Sequence, residues 1–199
     1  MKKLANFLFE VGTLRKINRA HGQLLLTNDL TDNIASHSYR VIVIGMFLAE
    51  IEKADVGKVA LMCVTHDWPE TRSHDHNWVH KKNVAINGKS IIARQFELYG
   101  SETLRAVIEE YEIRESKESM IAKDADTLDQ LLLLKEYAWQ GNKEAQAWLD
   151  GRTTERPYAQ VEKLQLESAK NLGRSIYDTT PSDWWKDLYS NVNLEFKTR

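Results

Sequence analysis

The chain has a single cysteine, Cys63. No disulfide can form within it, and such usage suits a reducing compartment. Cys63 stands in an apolar run and reads as a small core residue. Breakers are scarce as well: 3 prolines and 9 glycines punctuate 199 residues. No Asn-Gly or Asp-Gly hairpin joins alternating apolar segments, because Asn87-Gly88 lies between stretches of helical periodicity. An excess of one charge is missing too, with 27 Lys and Arg against 29 Asp and Glu. That balance removes the usual reason to expect nucleic acid or a membrane surface as partner, and neither is expected. Met1-Lys2-Lys3-Leu4 is too weakly apolar for a signal peptide. The longest apolar run, Val41 to Leu48, falls far short of the roughly 20 residues of a membrane span. The expectation is a cytoplasmic protein.

What is present is helical periodicity over a 42% apolar composition, enough for a real core. The length fits one domain, taken as 1–199 with no repeat and no linker. The predicted fold is all-α. Residues 3–20 read as a first helix, with Phe7, Val11 and Leu14 in a stripe and Arg15 and Arg19 on another face. Residues 21–31 read as a loop, and Thr31-Asp32-Asn33 offers N-cap chemistry. A helix over about 33–53 places His37 on an inward stripe with Val41, Ile44 or Gly45, Leu48 and Ile51. Lys58 to about Trp68 is a short apolar helix that Pro69 ends or kinks. The polar stretch 71–80 reads as a loop or broken helix. Helices follow at 89–99, 102–112, 115–140, 143–150 and 157–177, and Ser182 is placed to cap a last piece. Trp184 and Trp185 in that piece pack the C-terminal helix or a dimer interface.

Chemistry concentrates at Cys63-Val64-Thr65-His66-Asp67-Trp68-Pro69-Glu70. Imidazole and carboxylate are good ligands for a divalent metal of intermediate softness. Glu70 follows His66 by four residues on one helical face and could handle a proton. His37 supplies a second inward histidine. The 115–140 helix is apolar nearly all round between Met120 and Leu134, yet it carries Asp124, Asp126 and Asp129. An unpaired carboxylate in such a place is costly, so at least one of the three meets a cation or a metal. The helical wheel does not choose among them, and it sets Asp124 nearer the most apolar sector than Asp126.

Three pieces carry a resemblance: Asn33-Ile34-Ala35-Ser36-His37-Ser38-Tyr39-Arg40, His66-Asp67-Trp68-Pro69-Glu70, and Lys123-Asp124-Ala125-Asp126. Their order and spacing resemble the H…HD…D pattern of HD-domain metal-dependent phosphohydrolases, and within them the bacterial 5′-deoxynucleotidases. The resemblance runs from about Leu14 to about Gly141. It implies a single HD-domain helical bundle without significant β-sheet, its core about 14–141, with helices about 143–190 packed on it. It implies one divalent metal on His37, His66, Asp67 and Asp126, with manganese or cobalt favoured and iron, magnesium or zinc as alternatives. Glu70 matches a glutamate that helps activate water. Asp75 matches a general acid or water-positioning aspartate, and Arg19 matches an arginine on the substrate phosphate.

The implied activity is release of phosphate from a (deoxy)nucleoside 5′-monophosphate by metal-activated water. The implied partner is a small-molecule phosphate ester, with a second copy of the chain as homodimer. The alternatives are hydrolysis of a guanosine polyphosphate or nucleoside triphosphate, or a non-catalytic nucleotide-binding regulator. Two residues depart from the pattern. His74 stands where glycine is usual, so the loop is expected to take another path. Ala20 stands where the deoxynucleotidases carry a bulky aromatic, which leaves the base and sugar contact open. His74, His76 and His80 either bind a second metal or form a solvated loop. Trp78, next to His80-Lys81-Lys82, either lines a nucleotide pocket or packs in the core.

Overall fold

Asn33 begins the helix on which the site is built, because its side chain accepts the Ser36 amide at 3.0 Å and its own backbone is extended. The structure is a computed structural model that describes residues 1–151 and 158–189. Among the described residues the helices are α1 Lys2–Val11, α2 Gly22–Leu25, α3 Ile34–Glu52, α4 Val56–Thr65, α5 Glu70–Ser73 and α6 Trp78–Asn83. They continue as α7 Gly88–Tyr99, α8 Glu102–Ile113, α9 Lys117–Trp139, α10 Lys143–Leu149, α11 Glu167–Asp178 and α12 Asp183–Lys186. Short 3-10 turns lie at Gly12–Lys16, Val161–Lys163 and Asp187–Tyr189. No strand is present among these residues, and the fold is all-α as the periodicity requires. Side chains of Asp55, Asn87, Ser101, Ser116 and Asn142 cap α4, α7, α8, α9 and α10.

α3 and α9 cross at the centre, with α4 against both and α8, α10 and α11 around α9. The core runs through Val41, Leu48, Val59, Met62, Cys63, Ile121, Leu128, Leu131 and Leu134. Gly45 lets α3 and α4 approach closely, since a Cβ there would lie 2.6 Å from Cys63 Sγ. Cys63 is fully buried, and burial pushes its thiol up to about 12.

α3 has a second apolar side. Tyr39 is 72% exposed and Phe47 and Ile51 are each 64% exposed, with Val43 and Met46 between them. Ile51 therefore leaves the inward stripe that the spacing assigns it. Over 18 residues α3 reaches a mean hydropathy of 1.3, which by length and composition alone matches a membrane span. Its packing against α4 and α9 makes it the core helix of the bundle.

Several boundaries differ from expectation. The first helix stops at Val11, and Gly12–Lys16 tightens into a 3-10 turn. Residues 17–19 are drawn out of helix by pairing with the start of α3: Asn18 bridges Asn33, Ile34 N–H donates to the Ile17 carbonyl at 3.0 Å, and Arg19 N–H donates to the Asp32 carbonyl at 3.0 Å. The expected loop 21–31 contains α2. α4 ends at Thr65, and Pro69 precedes α5, where its missing N–H costs nothing. The expected helix 157–177 shortens to α11, because Val161–Lys163 forms a 3-10 turn; its start near 157 lies outside the described residues. Ser182 makes no cap; Asp183 instead accepts the Thr180 amide at 2.9 Å. Trp184 is 78% exposed and does not pack on the C-terminal helix.

Candidate metal centre

Each functional side chain comes from a place where a helix starts or stops, or from the seam between α3 and α9. α3 brings His37 in its first turn. The bridge at Asn18 brings Arg19 beside that turn. The end of α4 delivers His66 and Asp67, and α5 starts with Glu70. α9 brings Asp126 and Asp129 from across the bundle.

The ligating atoms of His37, His66 and Asp126 lie within 4.8 Å of one another. His37 Nε2 is 3.3 Å from His66 Nε2, 3.3 Å from Asp126 Oδ1 and 3.5 Å from Asp67 Oδ2. Asp67 Oδ2 is 3.1 Å from His66 Nε2. The outer nitrogens of both rings are already engaged. His66 Nδ1 donates to the Cys63 carbonyl at 2.8 Å, and His37 Nδ1 donates to Asp129 Oδ2 at 2.6 Å. Both Nε2 atoms are therefore left as lone pairs pointing at each other and at two carboxylates. Four electron-rich atoms so close are unfavourable unless a cation stands among them. The donor set, two imidazoles and two carboxylates, fits a divalent metal ion with coordination positions to spare.

Charges in the protein alone agree. Burial and Arg19 oppose a charged His37, yet the bonds to Asp126 and Asp129 outweigh them and raise its pKa to about 9. Burial would raise Asp67, but His66 and then His37 bring it down to about 2. Asp126 is held well below the usual carboxylate range, against burial, by Lys123 and both histidines. The pocket demands positive charge, and without a metal a proton on His37 supplies part of it.

Glu70 and Asp75 flank this cluster. Burial, then Asp67 and Asp75, push the Glu70 carboxyl up to about 9. Its Oε2 is buried without a hydrogen-bond partner among the described residues. Asp75 accepts the Ala20 amide at 2.7 Å and lies 3.5 Å from Arg19 Nε. The Arg19 side chain is only 10% exposed, and its Nε makes no hydrogen bond among the described residues. Burial works against its charge, while Asp75, Asp67 and Asp126 hold it. The structure thus brings all seven sequence-selected residues to one locus.

His74 occupies the turn between α5 and the segment that carries Asp75. It adopts φ 62 and ψ 168, backbone that glycine favours and an L side chain strains to hold. His76 Nε2 meets the Ser73 carbonyl at 2.9 Å, and His80 Nδ1 accepts the Asn77 amide in a capping box. These histidines serve the loop and the start of α6, and among the described residues they form no convergent metal cluster. Trp78 is half exposed and stacks on Trp148 at 5.0 Å with Lys163 over its ring, so it is not a core residue.

The sequence reading named Asp129 only as one of three candidate acids and Arg40 only within a motif, and it missed their pairing. Arg40 Nε donates to Asp129 Oδ1 at 2.5 Å and Nη1 to Glu136 at 2.6 Å. A signal existed: Arg40 is one turn after His37, and Asp129 is one turn after Asp126, so each pair shares a helix face. Asp124 takes a different part, accepting the Gln165 and Leu166 amides at 2.8 to 3.1 Å.

A helical bundle with two histidines and two aspartates converging where α3, α4 and α9 meet defines an all-α protein with a metal-binding centre. The description of the HD domain matches residues 11–167, and the chain belongs to the HD domain family. No curated protein matches it. Among solved structures, a conserved hypothetical protein from Pyrococcus furiosus is 22% identical, with a TM-score of 0.69 over 88% of this chain and 99% of that one. A protein from Pyrococcus horikoshii OT3 is 23% identical, with a TM-score of 0.70 over 86% of this chain and 99% of that one. A predicted metal-dependent phosphohydrolase from Magnetospirillum magnetotacticum MS-1 is 24% identical, with a TM-score of 0.65 over 89% of this chain and 90% of that one. These likenesses concern the fold.

Proposed function

We propose that the protein is a metal-dependent phosphohydrolase, and within that class a phosphomonoesterase acting on a (deoxy)nucleoside 5′-monophosphate. The observation that carries the reading is the convergence of His37, His66, Asp67 and Asp126 beside a buried arginine with an unused donor. Membership of the HD domain family and the likeness to a predicted metal-dependent phosphohydrolase support the reaction class. The nucleotide rests on the resemblance of the motifs to 5′-deoxynucleotidases.

A divalent metal bound at the four ligands would supply Lewis-acid chemistry, lowering the pKa of water and offsetting phosphoryl charge. Arg19 would bind phosphate oxygens through its planar donors. Asp75 holds Arg19 in place and ties it to the Ala20 backbone, which makes it an orienting group in this geometry. Glu70 has one oxygen buried and unpartnered among the described residues; the positive charge of a bound metal would oppose the rise in its pKa, and the ionised carboxylate would then take a proton from water and return it to the leaving oxygen. We further propose that two copies pair through the exposed stripe of Tyr39, Val43, Phe47 and Ile51, because contiguous apolar surface of this kind is rare on a lone chain. Light scattering tests that: a monomer at micromolar concentration rules it out.

The decisive experiment incubates the protein, loaded in turn with manganese and cobalt, with a panel of nucleoside mono-, di- and triphosphates. Phosphate release from monophosphates is expected, and Glu70→Gln should retain metal while losing about 10²- to 10⁴-fold in kcat. Turnover of triphosphates or guanosine polyphosphates alone would replace the monophosphate reading. Tight nucleotide binding without any release would identify a regulator.

A further inference from the structure

We infer that Asp129 is a positioning residue of the metal centre. It fixes His37 with Nε2 toward His66, Asp67 and Asp126, and Arg40 fixes Asp129. The inference rests on the metal reading of the centre and is independent of which substrate is cleaved.

An imidazole can face a site with either edge, and it can carry its proton on either nitrogen. Only a partner at the far nitrogen removes that choice. His66 finds its partner one turn back in its own segment, at the Cys63 carbonyl. His37 takes its partner from another helix, at Asp129 Oδ2, 2.6 Å away. That bond joins α3 to α9, the two elements that supply His37 and Asp126, with His66 and Asp67 entering just past the end of α4. Asp129 is 3% exposed, so its carboxylate is held almost wholly by protein partners. Its second oxygen is held by Arg40 Nε at 2.5 Å, and Arg40 Nη2 lies 3.4 Å from the Asp129 carbonyl. Glu136 takes Arg40 Nη1 at 2.6 Å and completes a chain from His37 to the surface.

The charges also sum sensibly. Asp129 would add negative charge behind a centre that already holds Asp67, Asp126 and Glu70. Arg40 offsets it at contact distance, so Asp129 can orient the ring and raise its basicity without adding a third unbalanced carboxylate. A cleft of about 500 Å³, lined by Tyr39, Arg40, Glu136, Tyr137 and Asp129, opens on the outer end of the chain. His37 also lines this cleft, but the Arg40 side chain is 31% exposed while those of His37 and Asp129 are 1% and 4% exposed. A purely structural ion pair between α3 and α9 predicts a loss of stability on mutation and nothing more. A positioning role predicts a change at the metal site in molecules that are still folded.

The test titrates the metal-free full-length chain with manganese by calorimetry. Asp129→Asn, which keeps an acceptor but loses the charge, should bind about 10- to 100-fold more weakly than wild type, the range for outer partners of metal-ligating histidines. Arg40→Gln should fall between the two. Wild-type affinity in folded Asp129→Asn, whatever its melting temperature, overturns the inference in favour of a structural pair. Should that variant not fold, nitrogen-15 spectra of histidine in the zinc-loaded wild type decide: a proton on His37 Nδ1 with the metal on Nε2 supports it, and ligation through Nδ1 overturns it. The two readings fail separately. A wild type that binds manganese but cleaves no phosphate ester sinks the proposed function alone, and unchanged affinity in Asp129→Asn with phosphate release intact sinks this inference alone. A wild type that takes up no metal overturns both.

Discussion

Asp124, Asp126 and Asp129 lie within two turns of α9, and they differ by what stands opposite each. Asp126 faces the imidazole of His37, with Lys123 2.6 Å from its other oxygen. Asp129 faces the far side of the same ring, and Asp124 faces backbone amides before α11. Asp126→Ala should therefore lose metal affinity by about two orders of magnitude or more, since a ligand costs more than the outer partner that tunes it. Asp124→Asn should keep metal content at the wild-type level and lose about 1–3 kcal/mol of stability, as amides that met a carboxylate meet an NH₂ group in part. Metal analysis and urea melts on the two variants read both outcomes; metal loss in the Asp124 variant would reverse the assignment. His74 offers a prediction of opposite sign. Its positive φ costs roughly 1–3 kcal/mol, and glycine removes that strain while adding up to about 1 kcal/mol of unfolded-chain entropy. His74→Gly should gain on the order of 1 kcal/mol, visible as a higher urea midpoint with an unchanged slope.

At the scale of elements, the site depends on α3 and α4 lying close enough for His37 and His66 to meet. Gly45 sets that distance, because a Cβ there would stand 2.6 Å from Cys63 Sγ and 3.1 Å from Val59 Cγ1. Gly45→Ala should cost about 1–3 kcal/mol through overpacking. Cys63→Ala in the same chain should recover part of that loss, although by itself it removes buried volume; a coupling near zero between the two, measured by denaturant melts, would mean that the helices separate freely. The long elements were legible: α3, α7, α8 and α9 follow from stripes at helical spacing, and α3 also from the cap chemistry at Asn33. The stretches around 12–33 and 66–83 were not. They are built from one-turn helices, a 3-10 turn and a two-residue bridge, each too short to leave a periodic signature. Within α9, the wheel could not rank three aspartates because apolar neighbours surround the helix. The amides of Gln165 and Leu166, which claim Asp124, lie some forty residues onward and leave no mark in the local pattern. Ile51 misled for a related reason: α3 is apolar on two sides, so a match to the inner stripe does not exclude the outer one.

At the scale of the whole molecule, the centre couples metal, protons and stability, and the sign follows from His37. In the metal-free protein its pKa is raised from 6.5 to about 9. A histidine raised on folding stabilises fully below its unfolded pKa, and that stabilisation is lost as pH climbs through the folded value. Metal-free protein should therefore lose stability between pH 6.5 and 9, by an amount on the order of 3 kcal/mol if His37 acts alone. Glu70 adds in the same direction, since a carboxyl raised to about 9 also gives up a proton that the unfolded chain has already lost. Bound metal replaces the proton on His37, and its affinity rises as that proton leaves. The metal-loaded protein should then hold or gain stability over the same interval. The gap between the two melting temperatures should widen from pH 6.5 to 9, at roughly 2–4 °C for each kcal/mol in a chain of this size. Calorimetric scans with manganese and with a chelator, at pH 6.5, 7.5 and 8.5, measure the gap directly. A gap that stays constant would mean that the metal and the proton do not compete for His37, and a gap that narrows would place the ion elsewhere in the molecule.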